Sequence, residues 1–222
     1  MRSNIAISRS EASVLASNKL IRNTYTLLSM TLLFSAAMCA VSMMLSVGRG
    51  AGLLTSVGAL ALLWFVLPRT ANSGAGIGVV FAVTGLLGFG LGPTISSYLQ
   101  LANGSQIVMT AMGGTGAIFL GLSTYALSTR RDFSFMGGFL ITGFLVVLGA
   151  ALLNIFLAVP AISLAISAVV VLLMSGFILY DTSRMVNGGE TNYVLATVSL
   201  YLNILNLFTA LLQLLGVASS DD

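Results

Sequence analysis

The chain has very few charged residues. Nine Lys and Arg and six Asp and Glu make up 7% of its 222 residues, whereas a soluble globular domain carries roughly 25%. This composition excludes a water-soluble domain. Hydrophobic residues instead reach 57%, and 24 glycines accompany them, a mixture typical of packed transmembrane helices. The sequence therefore predicts an integral membrane protein.

Histidine is absent, and cysteine occurs once, at Cys39. A single cysteine excludes an intramolecular disulfide framework, and the lack of histidine removes the usual general base and the commonest metal ligand. Zinc proteases and Ser-His hydrolases are excluded. An intramembrane enzyme is disfavoured as well, since the only lysine, Lys19, precedes the first apolar run. We expect no enzymatic activity, no cofactor and no metal site.

The net charge of +3 would favour nucleic-acid binding in a soluble protein, but here the few charges flank apolar runs. They indicate topology, and the lipid bilayer is the expected partner. A helix that crosses the hydrocarbon needs about 20 mostly apolar residues. The uncharged stretches, divided at polar clusters and at Pro160, contain seven such segments. The predicted spans are 25–47, 51–67, 77–99, 107–129, 135–159, 162–180 and 195–217.

Continuous apolar runs of this length indicate helices and not strands. We therefore predict an all-α fold, a single bundle of seven transmembrane helices over residues 25–217. Eight of the nine basic residues fall on one side of the predicted spans, and only Arg49 falls on the other. The positive-inside rule then places residues 1–24, a basic tail, in the cytoplasm and residues 218–222 outside. The first apolar run is too long for a signal peptide.

Two glycine-rich segments predict close helix packing. Gly88 and Gly92 in the third span form a small-xxx-small pair, which lets two backbones approach each other. The cluster Gly113-Gly114-Thr115-Gly116 is expected to do the same in the fourth span. No Lys-Ser/Thr pair follows either segment, so neither is a phosphate loop.

Asp181 is the most informative residue, because a carboxylate at the edge of an apolar span is unfavourable unless it is paired, hydrated or functional. Nineteen residues separate it from the start of its span, which places it near the cytoplasmic interface. Two interpretations stay open here, an interfacial carboxylate paired with Arg184 or a functional group. Other polar residues are expected to form hydrogen bonds between helices, and they are Asn154, Tyr201, Asn203, Asn206 and Gln213.

Several stretches of the sequence together resemble the Bax inhibitor-1 family. The most specific is Gly-Gly-Glu-Thr-Asn-Tyr at 188–193, a loop in which packing alone would not dictate the residues. The others are Leu-Ile-Arg-Asn-Thr-Tyr at 20–25, Ser-Phe-Met-Gly-Gly at 134–138, Asn-Ile-Phe-Leu at 154–157 and Ala-Thr-Val-Ser-Leu-Tyr at 196–201. The resemblance runs nearly from end to end.

This resemblance implies a multi-pass protein of the bacterial inner membrane, with a periplasmic C-terminus. It implies as partners the membrane-anchored, ATP-dependent protease FtsH and its companions HflK and HflC, with the chain acting as a negative regulator and a slowly degraded substrate. The basic tail would enter the protease, and the packed bundle would resist extraction. The tail residues that would engage the protease are Arg2, Arg9, Lys19 and Arg22.

The wider family also includes channel-like members that leak calcium and are gated by pH through two facing aspartates on the last two spans. Asp181 matches the first aspartate, but Asn203 stands where the second would be. The pH sensor is therefore incomplete, and this departure weakens the channel hypothesis. Arg69 and Arg184 are expected on the same side of the membrane and would hold Asp181 ionised. A pH-sensitive calcium or cation leak is thus the alternative function.

Overall fold

The computed structural model describes the backbone of residues 2–218 and the side chains of residues 15–48 and 50–218. The described chain is helical with short connections, and a 3-10 turn, Ser134–Met136, precedes the fifth helix. The second helix consists of Arg49–Ala61, the π-helical turn Leu62–Val66 and Leu67–Thr70, which together we call α2. The other helices are α1 (Arg2–Met44), α3 (Ala75–Leu99), α4 (Gly104–Thr129), α5 (Gly137–Leu157), α6 (Pro160–Val186) and α7 (Tyr193–Ala218).

Seven helices in the described part of the chain are long and apolar enough to cross a membrane. This confirms the predicted all-α bundle of seven spans. The segments that meet the criterion are Leu15–Met44, Gly50–Thr70, Ala75–Leu99, Gly104–Thr129, Ser134–Leu157, Pro160–Val186 and Tyr193–Ala218.

Two helices extend beyond the predicted spans, because nothing in the sequence breaks them. Helix α1 begins at Arg2, so the predicted basic tail continues the first spanning helix, and residues 2–24 contain neither Gly nor Pro. Helix α6 continues past Asp181 to Val186. It ends where Gly188 adopts a positive φ of 78°, a conformation that glycine adopts without a steric penalty.

Helix α7 is the centre of the bundle. It packs against α1, α3, α4 and α6, whereas α2 lies on the outside of α3, and α5 on the outside of α6. Within its span 56% of α7 is buried, against 11% for the span that contains α5, so the core is built around α7. Large apolar side chains such as Trp64 on α2 and Phe156 on α5 are exposed and are available to face lipid.

Glycines bring α1 and α3 into backbone contact. A Cβ added at Gly88 would lie 2.3 Å from the carbonyl oxygen of Ser35, and one added at Gly92 would lie 2.3 Å from the Ser42 hydroxyl oxygen. No side chain fits at either position, so the small-xxx-small pair packs two helices as the sequence predicts.

The glycines in the middle of α4 do not pack in this way. A Cβ added at Gly113, Gly116 or Gly121 would meet nothing within 4 Å, and one at Gly114 would make an ordinary contact with Leu211 at 3.5 Å. The prediction of close packing through the α4 cluster is therefore wrong. The reason is that three of these glycines lie on surfaces of α4 that face no neighbouring helix.

Candidate functional site between helices α6 and α7

Asp181 is the centre of a polar contact between α6 and α7. Its Oδ2 accepts a hydrogen bond from the Ser199 hydroxyl at 2.5 Å and another from the Asn203 side-chain amide at 2.8 Å. Ser199 and Asn203 are four residues apart, so both lie on the face of α7 that meets α6. A carboxylate with two hydrogen-bond donors is satisfied within an apolar span.

The structure brings together Asp181 and Asn203, the pair that the family resemblance singled out. Asn203 is buried and Asp181 is half-buried. The sequence analysis missed Ser199, the third member of the contact. Its signal was present, because Ser199 precedes Asn203 by one helical turn and shares its face of α7.

Arg184 contacts the loop that follows α6 and forms no ion pair with Asp181. Its Nη2 lies 3.9 Å from Glu190 Oε2 and donates a hydrogen bond to the Gly189 carbonyl at 2.7 Å. The guanidinium carbon lies 5.6 Å from the centre of the Tyr180 ring. Among the described side chains this is the one ion pair, so the neutral donors of α7, and no direct ion pair, hold the Asp181 carboxylate.

Arg69 does not contact Asp181 in this structure, contrary to the sequence-based expectation. It lies near the end of α2, and its Nη1 donates a hydrogen bond to the Phe65 carbonyl one turn earlier. The side chain is exposed and stays on its own helix. The sequence places Arg69 on the same side of the membrane as Asp181, but it carries no information on the direction of a long, exposed side chain.

In the loop at 188–193, side chains form the hydrogen bonds that shape the turn and cap the helix after it. Glu190 Oε1 accepts hydrogen bonds from the backbone amides of Thr191 and Asn192, both at 2.8 Å. Asn192 Oδ1 accepts from the amides of Val194 at 2.8 Å and Leu195 at 3.2 Å. Asn192 is therefore the N-cap of α7, since it satisfies backbone donors that the helix leaves free.

Asn192 also joins two distant parts of the chain. Its Nδ2 donates to the Ala71 carbonyl at 3.0 Å and to Asn72 Oδ1 at 2.8 Å. Both acceptors lie in the turn between α2 and α3. One side chain thus fixes the start of the central helix and its position against a second helical connection, which gives the specific loop segment a structural basis.

The other polar residues singled out from the sequence divide into two groups. Tyr201 and Gln213 do connect helices: the Tyr201 hydroxyl lies 2.6 Å from the Ser35 hydroxyl, and Gln213 Oε1 accepts from Ser167 at 2.8 Å. Asn154 donates to the Ser163 hydroxyl at 2.6 Å across the α5–α6 connection. For Asn206 the prediction is wrong, because its side chain is exposed and bonds to the Leu202 carbonyl of its own helix.

The predicted basic tail is described in part. Lys19 and Arg22 are exposed, while the side chains of Arg2 and Arg9 lie outside the described residues. Leu20 is buried in the core, so the last turns of this segment already pack against the bundle. The predicted C-terminal tail lies beyond the described residues, apart from Ala218.

Comparisons with known proteins place this architecture in a family. Residues 17–220 match the family described as Inhibitor of apoptosis-promoting Bax1. An Escherichia coli K12 protein named Modulator of FtsH protease YccA is 48% identical over 217 residues, which cover 98% of each chain. A membrane protein of Vibrio cholerae is 47% identical over 94% of this chain and 93% of its own.

A Pseudomonas aeruginosa protein is 44% identical over 91% of this chain and 90% of its own. A second E. coli relative, 48% identical over 98% of both chains, is named Inner membrane protein YccA, in agreement with the seven spanning helices found here. The protein is therefore a multi-pass inner-membrane protein that belongs to the Bax inhibitor family.

Proposed function

We propose that the protein is a modulator of the inner-membrane protease FtsH, that it is a slow substrate of the same protease, and that HflK and HflC accompany FtsH in the complex. The observation that carries this proposal is the 48% identity, over 98% of both chains, to the E. coli modulator of FtsH. The match covers nearly the full length of the relative, so its function can be proposed for this chain without assuming a further domain.

The packing of α1 supports the role of a slow substrate. If an ATP-driven protease pulls from the N-terminus, α1 is the first span that it must extract. This helix is held by the backbone contact with α3 at Gly88 and by a hydrogen bond from Thr197 of α7 to the Thr24 carbonyl at 3.3 Å. Extraction of the first span therefore has to break a close backbone contact within the bundle.

The proposal requires the N-terminus to be cytoplasmic, as the distribution of basic residues predicts. A reporter fused at Met1 should be active in the cytoplasm, and one fused after Asp222 should be active in the periplasm. A cytoplasmic C-terminus would contradict both the orientation and the proposed grip on the tail.

The test of the function is the half-life of the protein in cells with and without FtsH. Deletion of residues 2–14 should lengthen the half-life while leaving the bundle intact, because it retains the apolar segment Leu15–Met44 and the buried Leu20. The matched control replaces residues 2–14 with a polar segment of equal length that retains Arg2 and Arg9, which should be degraded normally. A second FtsH substrate should be stabilised by the full-length chain.

Three results would overturn the proposal. They are a half-life that does not depend on FtsH, equal degradation of the deleted and full-length chains, and failure of the tagged protein to recover FtsH from native membranes. The recovery experiment also shows whether HflK and HflC are in the complex.

A calcium leak is the second candidate function, and one observation favours it. The half-buried carboxylate of Asp181 lies between α6 and α7, where the channel-like members of the family have their pair of aspartates. The hydrogen bond from Asn203 leaves this site with one carboxylate, so we rank the leak below protease modulation.

A further inference from the structure

A cleft of about 440 Å³ opens between residues 17–22 of α1 and the C-terminal ends of α4 and α6. Two arginines line it from different helices, Arg22 on α1 and Arg130 directly after α4. Asn18 and Asn187 lie on the same cleft, but the Asn187 side-chain amide already donates a hydrogen bond to the Ser183 carbonyl at 3.0 Å. The lining is therefore cationic, and its charge comes from the two guanidinium groups.

Neither arginine is neutralised within the described part of the chain. Both are exposed, and the one ion pair among the described side chains joins Arg184 to Glu190. The remaining described carboxylates are engaged elsewhere, Asp132 with its own loop and Asp181 with α7. Two guanidinium groups with no counter-charge from these side chains thus share one cleft, an arrangement that favours an anionic ligand.

The cleft also has an apolar wall, formed by the half-buried side chains of Ile21, Leu127 and Val186. Its depth in the membrane follows from the helix ends. Arg130 directly follows the span Gly104–Thr129, and Val186 is the last residue of its span. Ends of spans lie at the level of the lipid headgroups, so the cleft is open to the headgroup layer.

We infer that this cleft binds the phosphate of an anionic phospholipid. The guanidinium groups of Arg22 and Arg130 donate hydrogen bonds to the phosphate oxygens, for which their planar donor geometry is suited. The apolar wall contacts the glycerol and the first carbons of the acyl chains. A lipid is favoured over free phosphate because the site combines cations with an apolar surface at the depth where lipid headgroups are concentrated.

The test uses the full-length protein in nanodiscs that contain phosphatidylglycerol and phosphatidylcholine in equal amounts, followed by native mass spectrometry of the lipids that stay bound. The native protein should retain phosphatidylglycerol preferentially. Each arginine should contribute about fivefold to this preference, so the variant Arg22→Gln/Arg130→Gln should lose it. Arg130→Lys should keep part of the preference, because it retains the charge without the planar donors.

The matched control is Arg131→Gln, which removes the same charge from the neighbouring position, a residue that does not line the cleft. This variant should bind phosphatidylglycerol as the native protein does. Equal loss in Arg131→Gln and the double variant would show a general effect of charge and overturn the site. Equal retention in the native protein and the double variant would overturn it as well.

A second arm distinguishes lipid from free anion. Inorganic phosphate is added to the protein in phosphatidylcholine nanodiscs, and the unfolding temperature is compared with that in phosphatidylglycerol. Stabilisation by phosphate equal to that by the anionic lipid would overturn the lipid assignment. Helix content and the orientation reporter must be unchanged in each variant, since the arginines also contribute to topology. None of these results depends on FtsH.

Discussion

The contact between α1 and α3 and the contact between α6 and α7 hold the same bundle together by different chemistry. Helices α1 and α3 meet through glycines, and the missing side chains allow backbone and hydroxyl groups to touch at Gly88 and Gly92. Helices α6 and α7 are linked by polar side chains, at Asp181 near one end and at Ser167 and Gln213 near the other.

The α1–α3 contact is suited to stabilising the bundle, whereas the α6–α7 contact is able to change. Lipid tails are as apolar as leucine, so helices in a bilayer associate through close packing and hydrogen bonds rather than through the hydrophobic effect. The contact closed by Gly88 and Gly92 leaves no room for a side chain to move between the helices, and none of its groups can change its charge. A contact made by a carboxylate, a hydroxyl and an amide can exchange partners or take up a proton, so a functional response is expected between α6 and α7.

The largest effect is expected from Gly88→Ala. Its Cβ would lie 2.3 Å from the Ser35 carbonyl oxygen, so α1 and α3 must separate, and overpacking of this kind destabilises by about 1–3 kcal/mol. Unfolding in mixed detergent micelles measures the free energy. The matched control is Gly116→Ala on α4, where a Cβ meets nothing within 4 Å and no loss is expected. Alanine has the higher helix propensity and favours both variants, so equal destabilisation by both would show that the loss does not come from the contact at Gly88.

The second prediction concerns the polar contact between α6 and α7. Asn203→Asp puts a second carboxylate beside Asp181, and two like charges in a partly desolvated site retain one shared proton. We expect a pH-dependent step in calcium flux through proteoliposomes that the native protein lacks. The control exchanges the two residues, Asp181→Asn with Asn203→Asp, which restores a single carboxylate and should abolish the step.

Two results of the calcium-flux experiment would change the role assigned to the contact between α6 and α7. A native leak with a pH dependence that Asp181→Asn removes would raise the channel above protease modulation. If neither the native protein nor Asn203→Asp leaks at any pH, the hydrogen bonds of Asp181 serve only to join α6 and α7.

A smaller effect is expected from Ser167→Ala, which removes the hydrogen bond to Gln213. Hydrogen bonds between membrane helices contribute about 0.6 kcal/mol on average, so the free energy of unfolding should fall by about that amount. Ser175→Ala is the control on the same helix, because the Ser175 hydroxyl bonds to the Val171 carbonyl of α6 itself. A loss of the size expected for Gly88→Ala would contradict the ranking of the two contacts.

The smallest effect lies outside both contacts, in the connection between α4 and α5. The Ser134 amide donates to Asp132 Oδ1 at 2.8 Å, and hydrogen bonds from Ser134 lower the pKa of the Asp132 carboxyl. A lowered pKa in the folded state stabilises the loop above the ordinary pKa of the group, and this effect is lost as the pH falls through the lowered value. Hydrogen exchange of the Ser134 amide should accelerate at acid pH, beyond the intrinsic dependence, in the native protein but not in Asp132→Asn.

The spans were predictable because charge and hydropathy decide them. The stretches without charge contain seven segments of spanning length, and residues 15–218 of the structure contain seven such helices. The predicted ends of the spans were less accurate. Asp181 suggested that the sixth span ends at Tyr180, but the helix continues to Val186, because no residue before Gly188 breaks it. A charge marks the depth of a residue in the membrane, whereas a helix ends where its backbone geometry changes.

The site was predictable only in part, because a sequence gives spacing along one helix and not which faces meet. The contact of Asp181 with Asn203 came from the family resemblance, and Ser199 follows from it by one helical turn. Spacing could not separate Asn203, which faces α6, from Asn206, which bonds to its own helix. It likewise could not separate Gly88 of α3, which contacts α1, from Gly116 of α4, where an added Cβ would meet nothing within 4 Å.

The position of α7 also has a consequence for how the protein is made. The helix at the centre of the bundle follows the other six in the chain, so the ribosome delivers it after them. Until α7 inserts, the four helices that pack against it lack their common partner, and Asp181 lacks both of its hydrogen-bond donors. The core of the bundle therefore forms only when α7 inserts, and a chain interrupted before Tyr193 would leave the Asp181 carboxylate in the membrane without Ser199 and Asn203.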